Sequence, residues 1–376
     1  MSSPSADPLP VTGAWLAGDP PGRRQWITGG ALRLEAGGAL PGFSLAYETW
    51  GTLNSDGSNA VLVEHALTGD SHISGPIEPG HPTAGWWSGL IGPGQAVDTD
   101  ELFVVVPNVL GGCQGSTGPS SLDPDGKRWG SRFPYLTPRD QVAVETALAD
   151  ELGVARWAAV LGGSMGGMRA LEWAVMYPGR VESLLVLAST AMASAEQVAW
   201  ASPQLHAITS DQGWRGGDYY DAAPGEGPHR GLGVARRIAH VTYRSEQELT
   251  ERFGRRDQDG EDALRGGRFA IESYLDHHAG KLVRRFDAGS YVTLTRSMNA
   301  HDVGRGRGGV AEALKRVTAR SVIAGVDSDR LYPLSQSRSL AEGLGGEAAV
   351  ISSPYGHDSF LIETGQIAAL VKSLLG

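Results

Sequence analysis

Short apolar runs alternate with segments of helical periodicity along most of this chain of 376 residues. Four such runs have the length and composition of strands that are buried on both faces. They stand at 60–64, 102–106, 157–161 and 184–188. Residues 139–152 and 165–177 follow the second and third runs and carry apolar residues at helical spacing. Because alternating strands and helices imply right-handed crossovers, the sequence predicts an α/β fold with a mostly parallel sheet flanked by helices.

Residues 192–310 interrupt this alternation. They are richer in charge and in helix-forming residues, and the strand pattern resumes after them at 321–326 and 348–352. Since the core pattern continues on the far side, we interpret 192–310 as a helical lid insertion within one α/β core. The two parts of that core are then 1–191 and 311–376. A separate second domain is the alternative.

The N-terminal segment differs from the rest of the chain. Residues 1–22 are rich in Pro, Gly and Ser and are expected to be loosely held. Residues 25–49 contain short apolar stretches broken by Gly-Gly and Pro-Gly pairs, which predicts antiparallel strands at an edge of the sheet.

Composition narrows the class of protein. The formal net charge of −10 argues against a broad basic face for nucleic acid. Cys113 is the single cysteine, so no intrachain disulfide can form, as in a reducing compartment. The chain starts without a basic segment followed by an apolar one, and no apolar run approaches the length of a membrane span. We therefore expect a soluble cytoplasmic protein that binds neither nucleic acid nor membrane.

A Gly-x-Ser-x-Gly motif joins the third apolar run to the helix after it. Ser164 is its central residue, between Gly162 and Gly166. In a strand–turn–helix context this motif is the nucleophile elbow of the α/β-hydrolase fold, in which a strained turn exposes the serine Oγ. The Met165 N–H at the helix start is then available to a developing oxyanion. The alternative is a plain glycine-rich turn.

A serine hydroxyl needs a base and an orienting acid, which in this fold follow the serine in the order acid, histidine. His357 lies just after the run at 348–352 and fits the base. Asp327 and Asp329 both follow the run at 321–326, and spacing does not choose between them. Five competing histidines fall in the insertion, where solvated or packed roles are expected. They are His206, His229, His240, His277 and His278.

A second oxyanion donor is expected from the loop after the first apolar run. Residues 65–69 occupy that place, with the Leu67 N–H as the candidate and an ordinary tight turn as the alternative.

Several longer motifs resemble those of the homoserine O-acetyltransferase family, from about residue 25 to the C-terminus. The stretch GGCQGSTGP at 111–119 is far more specific than the elbow. The motifs are HALTGD at 65–70, GWW at 85–87, PNVLGGCQGSTGP at 107–119, GGSMGG at 162–167, AR at 235–236 before TY at 242–243, SDRLYP at 328–333 and GHD at 356–358. Ser88 departs from the family pattern, which usually has Asp after the paired tryptophans.

The resemblance implies particular roles. The acid is Asp329, with Asp327 as a turn residue and runner-up. Arg236 binds the homoserine carboxylate, as a planar guanidinium suits, and a shift of one residue would move that role to Arg237. Asp358 holds the substrate ammonium. Cys113 is expected to be a packing residue and not a nucleophile, and no metal is expected.

The resemblance also implies an activity. Ser164 takes acetyl from acetyl-CoA and passes it to L-homoserine by a ping-pong mechanism, a step of methionine biosynthesis. Acetyl-CoA is a co-substrate, no cofactor is bound, and the enzyme is a homodimer joined through the lid. The alternatives are a succinyl-CoA or serine-specific transferase of the same family, a carboxylester hydrolase on the same fold, and a binding protein that has kept the fold.

Overall fold

The computed structural model describes residues 8–376. Within these residues eight strands form one twisted sheet, in the order β1-β4-β8-β5-β9-β10-β11-β12, and two strand pairs lie outside it. The strands are β1 (Gln25–Gly29), β2 (Leu32–Arg33), β3 (Ala39–Leu40), β4 (Phe43–Trp50), β5 (Ala60–Glu64), β6 (Ile91–Gly92), β7 (Val97–Asp98), β8 (Phe103–Pro107), β9 (Ala159–Gly163), β10 (Ser183–Leu187), β11 (Arg320–Val326) and β12 (Ala349–Ile351).

Helices connect and cover these strands. They are α1 (Pro138–Glu151), α2 (Met165–Met176), α3 (Ala195–Thr209), α4 (His229–Tyr243), α5 (Glu246–Phe253), α6 (Ala270–Val283), α7 (Ala288–Asn299), α8 (Val310–Leu314), α9 (Leu334–Gly343), α10 (Ser359–Ile362) and α11 (Thr364–Leu375). Among residues 8–376, none of the helices combines the length and apolar character that crossing a membrane requires.

The sheet is parallel from β8 to β12, and β1 and β4 form its antiparallel edge. β5, β9 and β10 are buried along their whole length, which explains why their sequences are continuously apolar and do not alternate. Their side chains contribute to a core on each face of the sheet, one beneath α1 and α2 and one beneath α11. The predicted α/β fold is confirmed, including its antiparallel edge.

The chain leaves the sheet after β10 and returns to it at β11, which pairs directly with β10. Helices α3 to α7 fill most of the intervening residues, and α4 packs against both α3 and α6. We refer to residues 192–310 as the helical insertion. It lies over the carboxyl ends of β5, β9 and β11, where ligands bind in open α/β sheets.

The N-terminal segment contacts the helical insertion. Residues 1–7 of the stretch expected to be loose lie outside the described residues. Beyond them, the Gly13 N–H donates to Phe286 O at 3.3 Å and Thr12 Oγ1 donates to Asp287 at 2.7 Å. The chain from about residue 9 is therefore held by hydrogen bonds, a tertiary effect that its Pro- and Gly-rich composition does not reveal.

Candidate active site

Ser164 stands at the sharp turn between β9 and α2, with φ 57° and ψ −123°. This backbone conformation is strained for a residue that carries a Cβ, and such strain is found at functional sites. The turn requires glycine on both sides. A Cβ on Gly162 would lie 2.2 Å from Gly166 O, and one on Gly166 would lie 2.0 Å from Glu64 O. The motif is therefore a close approach of strand, turn and helix that presents the serine hydroxyl.

Three side chains form one hydrogen-bonded chain at this turn. His357 Nε2 lies 2.8 Å from Ser164 Oγ, and His357 Nδ1 lies 2.7 Å from Asp329 Oδ2. All three residues are buried. With Nδ1 donating to the carboxylate, Nε2 is the acceptor that faces the serine hydroxyl. The arrangement has the geometry of a nucleophile, a base and an orienting acid.

The two candidate aspartates have different neighbours. Asp329 Oδ1 accepts the Leu331 and Tyr332 N–H groups at 2.8 and 2.9 Å, which leaves Oδ2 for His357. Asp327 instead accepts from Ser352 Oγ at 2.8 Å and from the Ser353 N–H at 3.1 Å, both just after β12. The structure thus brings Asp329 to the histidine, and Asp327 is a turn residue that binds the adjacent strand end.

The surroundings of His357 set its protonation. Burial lowers the pKa of His357, but the Asp329 charge and hydrogen bond more than offset burial, so the pKa is raised above its ordinary value. The Tyr332 ring stacks on the imidazole with centroids 5.0 Å apart, and Phe360 meets its edge at 5.4 Å. Tyr332 lies in the SDRLYP motif, yet spacing gave no indication that its ring fixes the imidazole plane.

Both candidate oxyanion donors lie beside the serine. In the part of the chain that the structure describes, neither the Leu67 N–H nor the Met165 N–H donates to a protein acceptor. Leu67 lines the same cavity as Ser164, and Met165 is the first residue of α2. Two unpaired N–H groups near a nucleophilic hydroxyl can stabilise an oxyanion.

A buried ion network holds the Leu67 loop against α2. Arg169 is fully buried and lies 2.7 Å from Glu64 Oε2 and 2.8 Å from Glu145 Oε1. It also donates to His65 O at 2.9 Å. Arg169 thereby ties the end of β5 and the loop after it to the helix that begins next to Ser164.

A cavity of about 310 Å³ opens above Ser164 and His357. Arg236 faces it, donates to Thr68 Oγ1 at 3.2 Å and lies over the Tyr243 ring. Arg237 points away and pairs with Asp276 at 2.5 Å, so the structure brings the first of the two arginines to the site. Asp358 also lines the cavity.

The cavity contains more positive charge than the motifs predicted. Its cationic residues are Arg236, Arg244, Lys281 and Arg285, and His240 and His278 also line it. Arg244 Nε lies 3.3 Å from Asp358 Oδ2, and burial raises the pKa of Asp358 although Arg244 opposes that effect. Burial lowers the pKa of His278 to about 4 and also lowers that of His240, whose ring lies 4.0 Å away. These two histidines therefore line the site as neutral groups, and both pack against the Tyr274 ring, which fits the packed role expected of them.

One cluster of potential metal ligands lies apart from the cavity. Glu48, His72 and His81 are buried, and one ligand atom of each lies within 4.8 Å of the others. However, the two imidazole rings stack with centroids 3.9 Å apart and an interplanar angle of 12°. Because a metal ion lies close to the plane of each ring that binds it, face-to-face rings do not converge on one ion. The cluster as arranged is a buried ion-pair and hydrogen-bond network.

Cys113 is buried in the core beneath the helical insertion. Burial raises the pKa of its thiol, which keeps the thiol protonated and unreactive.

A parallel sheet, a strained serine turn and a hydrogen-bonded serine, histidine and aspartate together define an enzyme of the α/β-hydrolase fold. Residues 59–364 match the family described as alpha/beta hydrolase fold. The chain belongs, more narrowly, to the homoserine O-acetyltransferase family, and it is an acyltransferase. It is 67% identical to the homoserine O-acetyltransferase of Thermobifida fusca (strain YX), with 100% of both chains covered. The resemblance of the motifs is thereby confirmed.

Solved structures that share this fold include proteins named as homoserine O-acetyltransferases and proteins named as esterases. Homoserine O-acetyltransferase from Bacillus anthracis superposes with a TM-score of 0.84 at 27% identity, over 94% of this chain and 97% of that one. Esterase E22 superposes with a TM-score of 0.85 at 26% identity, over 94% of this chain and 99% of that one. Backbone similarity at this level therefore does not separate acyl transfer from ester hydrolysis.

Proposed function

We propose that the protein transfers an acetyl group from acetyl-CoA to the hydroxyl of L-homoserine by a ping-pong mechanism. The observation that carries this proposal is the hydrogen-bonded chain of Ser164, His357 and Asp329 beside a cavity that is lined by both Arg236 and Asp358. The name shared by the close relatives supports the acceptor and the acyl group.

In the first half-reaction Ser164 attacks the thioester carbonyl carbon of acetyl-CoA. His357 takes the hydroxyl proton as the bond forms, and the Leu67 and Met165 N–H groups donate to the resulting oxyanion. The carbon–sulfur bond then breaks, and the CoA sulfur leaves as a thiol with the proton from His357. An acetyl ester remains on Ser164.

In the second half-reaction homoserine enters the same cavity. Arg236 binds its carboxylate, and Asp358 exchanges its contact with Arg244 for the substrate ammonium. His357 removes the proton of the substrate hydroxyl, whose oxygen attacks the acetyl carbon. Ser164 leaves and regains the proton from His357, which releases O-acetylhomoserine. Fixing both charged ends of the acceptor raises its effective concentration over that of water.

Ester hydrolysis is the second candidate, since the esterase E22 structure shares the fold at a TM-score of 0.85. The charge of the cavity favours transfer. A site that accepts simple esters with water as the acceptor gains nothing from a cavity lined by both Arg236 and Asp358, whereas a zwitterionic amino acid can pair with both.

Thiol release by the purified protein tests the proposal. Acetyl-, propionyl- and succinyl-CoA are each offered with homoserine and with serine. We expect rapid thiol release with acetyl-CoA and homoserine, slower release with the other pairs, and loss of that release in Ser164→Ala. A hydrolase would release acid from simple esters and show no dependence on homoserine. Unchanged thiol release in Ser164→Ala would sink the mechanism.

Three wider proposals follow from the family. The helical insertion acts as a lid, two chains associate through it as a homodimer, and the reaction serves methionine biosynthesis in the cytoplasm. The dimer is tested by sedimentation at micromolar concentration, where a monomer alone would contradict it.

A further inference from the structure

Thr68 binds two guanidinium groups at once. Its Oγ1 accepts from Arg236 Nη1 at 3.2 Å, and its carbonyl oxygen accepts from Arg285 Nη1 at 3.0 Å. Arg236 comes from α4 and Arg285 from the turn between α6 and α7, so two separate elements direct arginines to one point. Both arginines line the cavity above Ser164.

These two arginines differ from their neighbours in their contacts. Arg237 pairs with Asp276, and Arg244 contacts Asp358. Among residues 8–376, by contrast, neither Arg236 nor Arg285 has a carboxylate within ion-pair distance, although the charge of Asp70 attracts Arg285. Both guanidinium groups converge on Thr68 at the cavity wall, where an anionic ligand group can accept hydrogen bonds from both.

We propose that Arg285 is a second substrate-binding residue, which together with Arg236 clamps the carboxylate of the amino-acid acceptor. This inference rests on the proposed function. Each of the two carboxylate oxygens can accept from one guanidinium, as planar arginine groups favour. Asp358 and Ser164 line the same cavity, where Asp358 would bind the ammonium and Ser164 would face the hydroxyl end.

The clamp predicts an effect on one half-reaction alone. Acetyl transfer from CoA to Ser164 does not involve the acceptor carboxylate, so it should not need Arg285. A different role is that Arg285 merely holds the Leu67 loop through Thr68 O. In that case its loss would weaken the oxyanion site and slow both half-reactions.

The test compares homoserine with 3-amino-1-propanol, which is homoserine without its carboxylate. Arg285→Met should lower kcat/KM for homoserine by about 10- to 100-fold, mainly through KM, as expected for a lost charge-assisted hydrogen bond. It should leave kcat/KM for 3-amino-1-propanol and the rate of the first thiol-release burst within about twofold, because neither uses the carboxylate. Arg285→Lys should recover part of the homoserine loss.

Arg284→Met is the matched control, because Arg284 is the exposed neighbour outside the cavity lining. This control variant should change kcat/KM for neither homoserine nor 3-amino-1-propanol. Three results for Arg285→Met would contradict the proposed role of Arg285 without contradicting the proposed function. They are an equal loss of kcat/KM for both acceptors, a slower first burst of thiol release, and an unchanged KM for homoserine. A wild-type protein whose thiol release ignores homoserine overturns the proposed function itself, so the two failures are distinguishable.

Discussion

Replacing Arg169 by methionine tests the network that joins the nucleophile turn to the oxyanion loop. The guanidinium is fully buried and bridges Glu64 at 2.7 Å and Glu145 at 2.8 Å. It also donates to His65 O at 2.9 Å, two residues before the Leu67 N–H. Arg169→Met removes all three contacts and leaves two carboxylates buried close together.

The magnitude follows from that burial. Removing one partner of a buried ion pair costs about 3–5 kcal/mol, because the remaining charge stays desolvated and uncompensated. Arg156→Met is the control. Arg156 pairs with Glu182 at 3.6 Å, both side chains are more than half exposed, and an exposed pair contributes at most about 1 kcal/mol.

The assay is the free energy of unfolding from urea denaturation, measured from pH 8 to pH 5. Burial raises the pKa of Glu64 in the folded state, the Glu145 charge adds to that effect, and Arg169 opposes it. Without Arg169 the pKa of Glu64 rises further, so the folded variant binds a proton more readily than the folded wild-type protein does. The deficit of Arg169→Met should be largest at high pH and should shrink as pH falls. A deficit no larger than that of Arg156→Met, or one that grows toward pH 5, would refute the reasoning.

Three further perturbations act on the site. Asp329→Asn should lower kcat by about 10⁴-fold with little change in unfolding temperature, since the amide favours the wrong imidazole tautomer; near-normal turnover would point to another acid. Acyl transfer requires neutral His357, whose pKa is raised, so a rate profile should fall as pH drops through a midpoint above the ordinary histidine value; a midpoint below it contradicts the pairing with Asp329. Gly166→Ala should destabilise the fold by about 1–3 kcal/mol or more in urea denaturation, because the added Cβ meets Glu64 O at 2.0 Å; a neutral effect would mean that the turn is looser than described.

The sequence predicted those parts of the fold whose signals are local. β5 begins and ends as predicted, and the predicted strand at 321–326 matches β11 to within one residue, because strands buried on both faces must be continuously apolar. α3 and α7 were not predicted. In both helices polar and apolar residues are mixed, and both lie within an insertion whose sequence follows no repeating pattern.

The residues of the candidate site likewise include some that the sequence predicted and some that it did not. Ser164 and His357 follow strand ends in recognisable motifs, so their order along the chain predicts their meeting. Arg285 has no such motif, and it reaches the cavity because the turn after α6 comes to lie beside Thr68. Sequence reasoning misses such residues, since their role depends on the packing of helices that are distant along the chain.

The most direct test of the central claim is intact-protein mass measurement after rapid mixing with acetyl-CoA in the absence of acceptor. We expect a species heavier by one acetyl group, with the added mass on the peptide that contains Ser164 and absent from Ser164→Ala. Addition of homoserine should discharge it to O-acetylhomoserine faster than water does. An acetyl group on another residue, or turnover of both substrates by Ser164→Ala, would contradict an acyl-serine mechanism.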